Sequence, residues 1–176
     1  MRAMSIVAFV PAVFLITPLL AGAQTKVLPA TTVSAAEIQA LLGPRIPNAL
    51  PNIRVVDAGG HNIGVGVLYR AEGQTQNTAV HFKVSEVYHV MKGSGTLVTG
   101  GTVVNPKTRA ADSIEVTRED GPGVTGTAIQ GGVNHDLKEG DVIVIPAGTP
   151  HWFSKINGSI VYLVIRIDPN QLIGLQ

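Results

Sequence analysis

Short runs of β-branched and aliphatic residues, punctuated by glycine, proline and asparagine, constrain the fold of this chain more than any other feature. Runs of this kind are typical of β-strands, and they occupy 53–57, 61–70, 79–84, 86–92, 95–99, 141–145, 150–156 and 159–167. Short strands at close spacing indicate a sandwich or a barrel. Ahead of them, the capping box Ser34-Ala-Ala-Glu37 predicts one short helix that ends at Gly43-Pro44. We therefore predict an all-β fold with a short N-terminal helix.

The last two apolar runs carry a turn signal and an unusual pattern. Asn157-Gly158 separates them, and this dipeptide favours a type I′ turn, so it predicts a hairpin that pairs the His151 strand with the final strand. The run 160–167 is apolar at nearly every position, which indicates that both of its faces are covered. A second sheet would cover one face and a second subunit the other, so we predict a homodimer.

The first 23 residues have the order of a secretory signal peptide. Arg2 precedes an apolar run at 6–20, and Ala21-Gly22-Ala23 supplies the small residues of a cleavage site. Two prolines interrupt the run, which is shorter than the roughly 20 residues of a membrane span. We therefore expect cleavage after Ala23, no stable membrane anchor, and a periplasmic or secreted protein; an uncleaved anchor is the alternative.

The charge balance of the chain excludes one class of partner. The sequence has 13 Lys and Arg and 12 Asp and Glu, and loss of residues 1–23 removes Arg2 alone, which leaves 12 of each. A balanced chain without a basic run has no nucleic-acid footprint. With no cysteine, stability depends on the core or on a second subunit. We assign 24–52 to an N-terminal segment with the helix and 53–170 to the barrel.

Two histidines and a glutamate stand where predicted strands can bring them together: His81, Glu86 and His151. Imidazole nitrogen and carboxylate oxygen together suit a divalent metal such as iron, manganese, zinc or nickel. Glu86 lies among apolar residues, and a carboxylate is rarely buried without a metal or an ionic partner. An ion pair of Glu86 with Lys83 or Arg70 is the structural alternative.

Strand parity sorts the residues around Glu86. Side chains alternate between the two faces of a strand, so Tyr88 shares the face of Glu86 and is a candidate pocket residue. His89 points the other way. We interpret His89 as a hydrogen-bonded core histidine between sheets or at an interface, and not as a ligand.

The segments around these residues resemble the two motifs of the cupin family. Ala79-x-His81-x4-Glu86-x6-Gly93 is similar to the first motif, G-x5-H-x-H-x3,4-E-x6-G. Gly140-x5-Pro146-x-Gly148-x2-His151 is similar to the second, G-x5-P-x-G-x2-H-x3-N.

The resemblance implies a double-stranded β-helix, also called a jelly-roll barrel, that is often dimeric. It implies His81, Glu86 and His151 as ligands of a divalent metal inside the barrel mouth. Two positions depart from the family pattern: Ala79 replaces its first histidine and Lys155 its closing asparagine. Three of the usual four ligands therefore remain, unless Tyr88 or a loop side chain substitutes.

The three-ligand set leads to competing hypotheses about function. Two histidines and one carboxylate with open positions are also the arrangement of non-haem iron oxygenases. Our first hypothesis is therefore a metal-dependent cupin that acts on a small organic molecule, with dioxygenase-like chemistry. An isomerase, lyase or hydrolase would use the metal as a Lewis acid. The alternative class is a non-catalytic module that holds a small ligand beside a degenerate metal site, and a third is a structural or storage protein.

Residues 100–135 are rich in glycine and threonine and lack a clear period. A lid, an extra hairpin and a solvated excursion are the open interpretations. The string 121–126 fits GxGxxG, but its context lacks the strand and helix of a nucleotide site. We interpret it as a loop.

Overall fold

The computed structural model describes residues 27–42 and 52–176, and within them one short α-helix precedes eleven β-strands. The helix α1 is Ala35–Gln39, and one turn of π-helix spans Glu115–Glu119. The strands are β1 Asn52–Asp57, β2 Asn62–Ala71, β3 Thr78–His81, β4 Ser85–Thr99, β5 Thr102–Val104, β6 Lys107–Thr108, β7 Gly123–Gly126, β8 Ala128–Gln130, β9 Val133–Lys138, β10 Val142–Ile145 and β11 His151–Asp168. The all-β fold class is confirmed.

The predicted capping box forms the start of α1. The Glu37 backbone N–H donates to Ser34 Oγ at 3.2 Å, and the Ser34 N–H donates to Glu37 Oε2 at 2.8 Å. An ion pair of 2.6 Å between Glu37 and Arg54 ties the helix to β1. The predictions for the signal peptide and for Gly43-Pro44 lie outside the described residues. In the described ranges, no helix has the length and apolar character of a membrane span.

Two long strands, β4 and β11, organise the barrel. They pair antiparallel along their whole length, from His151 opposite Thr99 to Ile167 opposite Ser85. On its other side, β11 pairs with β2 and, at His151, with β3. The other edge of β4 pairs with β10 and β9. Because β4 and β11 pair with each other along their full length, residues from distant parts of the chain meet on the inner face of the two strands.

The predicted hairpin at Asn157-Gly158 is wrong. These residues lie within β11, and the segments on both sides of them pair with β4. Gly158 has a φ of +70° and lies in a bulge between the pairs Asn157 with Ser94 and Ile160 with Gly93. A glycine with positive φ suits a bulge as well as a turn, so the dipeptide alone could not distinguish the two.

The barrel core lies mainly on the inner face of β4 and β11, with one side chain each from β9 and β10. Its buried side chains are Tyr88, Val90, Leu97, Leu137, Ile145, Phe153, Ile156, Ile160, Tyr162 and Val164. The outer face of β11 is less buried than the inner face, since Leu163 and Ile165 are half-buried and Ile167 is 38% exposed. The described part of one chain therefore covers one face of the final run fully and leaves the other partly open.

Residues 100–135 add β structure to the barrel. Strands β5 and β8 form a small two-stranded sheet, while β7 joins the main sheet beside β3. Of the three open interpretations, the extra hairpin is nearest to the structure, although the paired strands β5 and β8 are not consecutive in the chain. The loop interpretation of the GxGxxG string is wrong for Gly123–Gly126, because these residues are β7. The close approach of β7 to β3 requires glycine at position 123, because a Cβ on Gly123 would lie 1.9 Å from the Val80 carbonyl oxygen.

Candidate metal centre

His81, Glu86 and His151 converge inside the barrel. His81 ends β3, Glu86 lies near the start of β4, and His151 begins β11 beside Ala79 of β3. All three side chains are buried. The Nε2 atoms of His81 and His151 lie 3.4 and 3.3 Å from Glu86 Oε2. The structure thus brings together the three residues that the sequence motifs single out, while their role as ligands stays a prediction.

The spacing and chemistry of the three side chains fit a divalent ion. Their ligand-type atoms all lie within 4.8 Å of one another. Metal bonds of about 2.0–2.2 Å place neighbouring ligand atoms roughly 3.0–3.4 Å apart, which matches the two distances to Glu86 Oε2. The residues present therefore suit a metal held by two imidazoles and one carboxylate oxygen.

The other oxygen of Glu86 forms a buried ion pair. Arg166 Nε donates to Glu86 Oε1 at 2.9 Å, and the Tyr88 hydroxyl donates to Oε2 at 2.7 Å. The sequence-based alternatives, Lys83 and Arg70, are wrong partners: Lys83 is exposed and Arg70 bonds to other side chains. The ion pair fixes the carboxylate so that Oε2 faces both histidines.

Opposing influences set the charge states of Glu86 and Tyr88. Burial raises the pKa of Glu86, but the nearby His81 and Arg166 hold the pKa well below its ordinary value. Burial and the charge of Glu86 together raise the pKa of Tyr88 well above its ordinary value. The Tyr88 hydroxyl therefore stays protonated and donates a hydrogen bond to the ionised carboxylate of Glu86.

A network that the sequence reasoning missed supports the ion pair. Arg166 Nη2 lies 2.8 Å from Asp120 Oδ1, and Arg166 Nη1 donates to Asn52 Oδ1 at 2.6 Å. Asp120 Oδ2 in turn lies 3.3 Å from Arg109 Nη1. Burial raises the pKa of Asp120, but the charges of Arg166, His81 and Arg109 together lower it by more, so the net shift of the pKa is downward. One signal was available in the sequence: Arg166 has the inward parity of Tyr162 within an apolar run.

The two histidines differ in what contacts their Nδ1 atoms. His151 Nδ1 lies 3.1 Å from the Thr149 carbonyl oxygen, which only accepts, so Nδ1 carries the proton and Nε2 presents a lone pair. His81 Nδ1 lies 3.3 Å from Arg109 Nη1, which only donates. Neutral His81 in this contact has its proton on Nε2, toward Glu86. His151 is therefore prepared as a ligand, whereas His81 must shift its proton to become one.

A cavity of about 280 Å³ opens at the cluster. Ala79, Glu86 and Tyr88 are among its lining residues, as are the two histidines. Ala79 thus lies at the same cavity as His81, which the alternation along β3 predicts. His89 points away from the cluster as predicted, but it is exposed, so the core-histidine interpretation is wrong in the single chain.

The cupin family model matches residues 66–175. The chain belongs to the cupin family. The double-stranded β-helix that the motifs imply is confirmed for this cupin. The cluster of His81, Glu86 and His151 occupies three of the four ligand positions that the two motifs imply, and Ala79 stands at the first histidine position.

Several solved structures resemble this cupin at low sequence identity. BH2720 from Bacillus halodurans is 17% identical, covers 84% of this chain and 89% of its own, and has a TM-score of 0.46. A protein with a double-stranded β-helix domain from Klebsiella pneumoniae is 16% identical over 84% of this chain and 96% of its own, also with a TM-score of 0.46. An RmlC-like cupin from Methanocaldococcus jannaschii is 16% identical. The match covers 73% of this chain and 92% of the other, with a TM-score of 0.40. No curated protein matches the chain.

Proposed function

We propose that this cupin binds a divalent metal through His81 Nε2, His151 Nε2 and Glu86 Oε2, and acts on a small organic molecule in the adjoining cavity. The observation that carries the proposal is that both histidine Nε2 atoms lie 3.3–3.4 Å from Glu86 Oε2 in a buried cluster on the cavity wall. A bound iron, manganese, zinc or nickel ion would supply Lewis-acid or dioxygenase-like chemistry there.

The residues around the cluster have separate parts in this proposal. Arg166 holds the Glu86 carboxylate in place through Oε1, and Tyr88 orients Oε2 by its hydrogen bond. The barrel buries the cluster except at the cavity, so a ligand reaches it from one side. Export to the periplasm or beyond belongs to the same proposal and is supported by the order of residues 1–23 in the sequence.

Metal content after purification and dialysis tests the proposal. We expect about one equivalent of metal in the wild type, and less than about a tenth in His151→Ala and Glu86→Gln, because each loses one of three ligands. Glu86→Gln keeps an oxygen for the Arg166 hydrogen bond, so it separates ligand loss from misfolding. His89→Ala is the matched control, since His89 is exposed and should leave the metal content unchanged. Equal metal content in all four proteins would overturn the proposal.

Two observations favour the alternative, a non-catalytic small-ligand module with a degenerate metal site. Ala79 replaces one of the family's ligands, and Arg109 donates to the Nδ1 atom of His81. Native mass spectrometry distinguishes the two functions. A metal adduct on the purified chain supports the first, whereas a metal-free chain with a retained organic molecule supports the second.

A further inference from the structure

Arg70 lies on the wall of the same cavity as His81 and Glu86. Its Nε donates to the Tyr162 hydroxyl at 2.8 Å, and its Nη1 donates to Gln76 Oε1 at 2.7 Å. The guanidinium carbon also lies 5.7 Å from the centre of the Phe153 ring. These contacts hold the planar group in one orientation beside the cavity.

The partners of Arg70 are neutral. Burial raises the pKa of Tyr162, so this hydroxyl accepts the hydrogen bond as an uncharged phenol. Across the described ranges, no carboxylate forms an ion pair with Arg70; Glu86 and Asp120 pair instead with Arg166. Residues 1–26 and 43–51 contain no Asp or Glu. Arg70 is thus a fixed cation without a direct ion-pair partner among the described carboxylates, at a cavity that Glu86, Glu119 and Asp120 also line.

The guanidinium retains donors for a ligand. It has five N–H groups in a planar fork, and the described residues accept hydrogen bonds from two of them. A partly buried cation without a direct ion-pair partner is stabilised by an anion that accepts hydrogen bonds from its remaining donors. The fork matches the two oxygens of a carboxylate. Because Glu86, Glu119 and Asp120 line the same cavity, the single charge of a carboxylate is repelled less there than the two charges of a phosphate dianion.

We propose that Arg70 binds the carboxylate of a small organic acid and thereby defines the ligand class of the cavity. The acid would extend from Arg70 toward the His81, Glu86 and His151 cluster; only this second part rests on the proposed metal function. A cavity of about 280 Å³ is at the small end of ligand pockets, which limits the ligand to a compact acid.

Calorimetric titration of the chelator-treated, metal-free protein with benzoate and benzamide tests the proposal without the metal. The two probes have the same shape and differ in charge. We expect benzoate to bind the wild type at least tenfold more tightly than benzamide, and Arg70→Gln to weaken benzoate binding at least tenfold with little effect on benzamide. Lys83→Gln is the matched control, because it removes one positive charge from an exposed side chain two residues from His81; its benzoate affinity should equal that of the wild type.

Arg70→Lys is a second variant, which tests whether Arg70→Gln acts only by removing the packing of the guanidinium against the Phe153 and Tyr162 rings. Lysine keeps the charge but not the fork, so its benzoate affinity should lie between those of the wild type and Arg70→Gln. No detectable benzoate binding by the wild type, equal binding of benzoate and benzamide, or equal weakening by Lys83→Gln would each overturn the proposal. Because the titration uses metal-free protein, its outcome is independent of the metal-content test.

Discussion

At the scale of single residues, the Arg109 contact is unfavourable for the metal-binding role that we propose for His81. Histidine ligands usually donate their second ring N–H to a carbonyl or carboxylate oxygen, which orients the ring and leaves the other nitrogen free for the metal. His151 has such a partner in the Thr149 carbonyl, whereas His81 Nδ1 meets the Arg109 guanidinium at 3.3 Å. A metal at His81 Nε2 therefore requires a proton on Nδ1 and the loss of this Arg109 contact.

We predict that Arg109→Met strengthens metal binding, by up to about tenfold, because Nδ1 of His81 can then hold its proton without facing a donor. Competition with a chromogenic chelator measures the change. Arg118→Met is the control: it removes the same charge from an exposed residue and should leave the affinity unaltered. Weaker metal binding in Arg109→Met than in Arg118→Met would show that Arg109 assists the site.

At the scale of elements, the bulge between β4 and β11 depends on Gly93. Its φ is +80°, and a Cβ there would lie 1.9 Å from the Ser159 carbonyl oxygen. Gly158 has a similar φ of +70° but no atom within 4 Å of an added Cβ. A substitution at Gly158 would therefore cause backbone strain alone, whereas one at Gly93 would cause backbone strain and steric overlap.

We predict that Gly158→Ala lowers the free energy of unfolding by about 1–2 kcal/mol, the cost of positive φ alone. Gly93→Ala should lose roughly 1–3 kcal/mol more, because the backbone must also move to relieve the overlap. Urea denaturation of both variants and the wild type measures the difference. Equal losses would mean that the strands do not approach closely at Gly93.

The elements also show what the sequence can and cannot predict. Alternating and apolar runs predict the strands, and motif spacing with strand parity predicts the inward set of Glu86 and Tyr88, because both depend on local geometry. The course of β11 through Asn157-Gly158 is not local, since pairing with β4 decides it. The partner of Glu86 is Arg166, 80 residues further along the chain. Such partners depend on strand register, which a single sequence does not specify.

At the scale of the whole molecule, one outer face of the barrel carries adjoining apolar side chains. Val144 lies opposite Val87 and Val142 opposite His89, while Val87 and His89 lie opposite Ile165 and Leu163. Val142 and Val144 are 61% and 64% exposed. An exposed apolar patch of neighbouring strands favours contact with another protein surface, which agrees with the homodimer expected from the final run.

We predict that protein beginning at Gln24 is a dimer at tens of micromolar by light scattering, and that Val144→Lys makes it monomeric. Lysine at this position would place a charge in the proposed interface. Val133→Lys is the matched control, because Val133 is 63% exposed but lies opposite Thr99, twelve residues along β4 from the partner of Val144. A monomeric wild type would contradict this prediction.

Anomalous diffraction at the absorption edge of the bound metal tests the central claim most directly. Crystals of the full-length wild type equilibrated with manganese or zinc should show a peak within about 2.0–2.3 Å of His81 Nε2, His151 Nε2 and Glu86 Oε2. The same map would show whether Arg109 has moved away from His81. The absence of a peak among these three atoms at saturating metal, or a peak bound only by other residues, would contradict the claim.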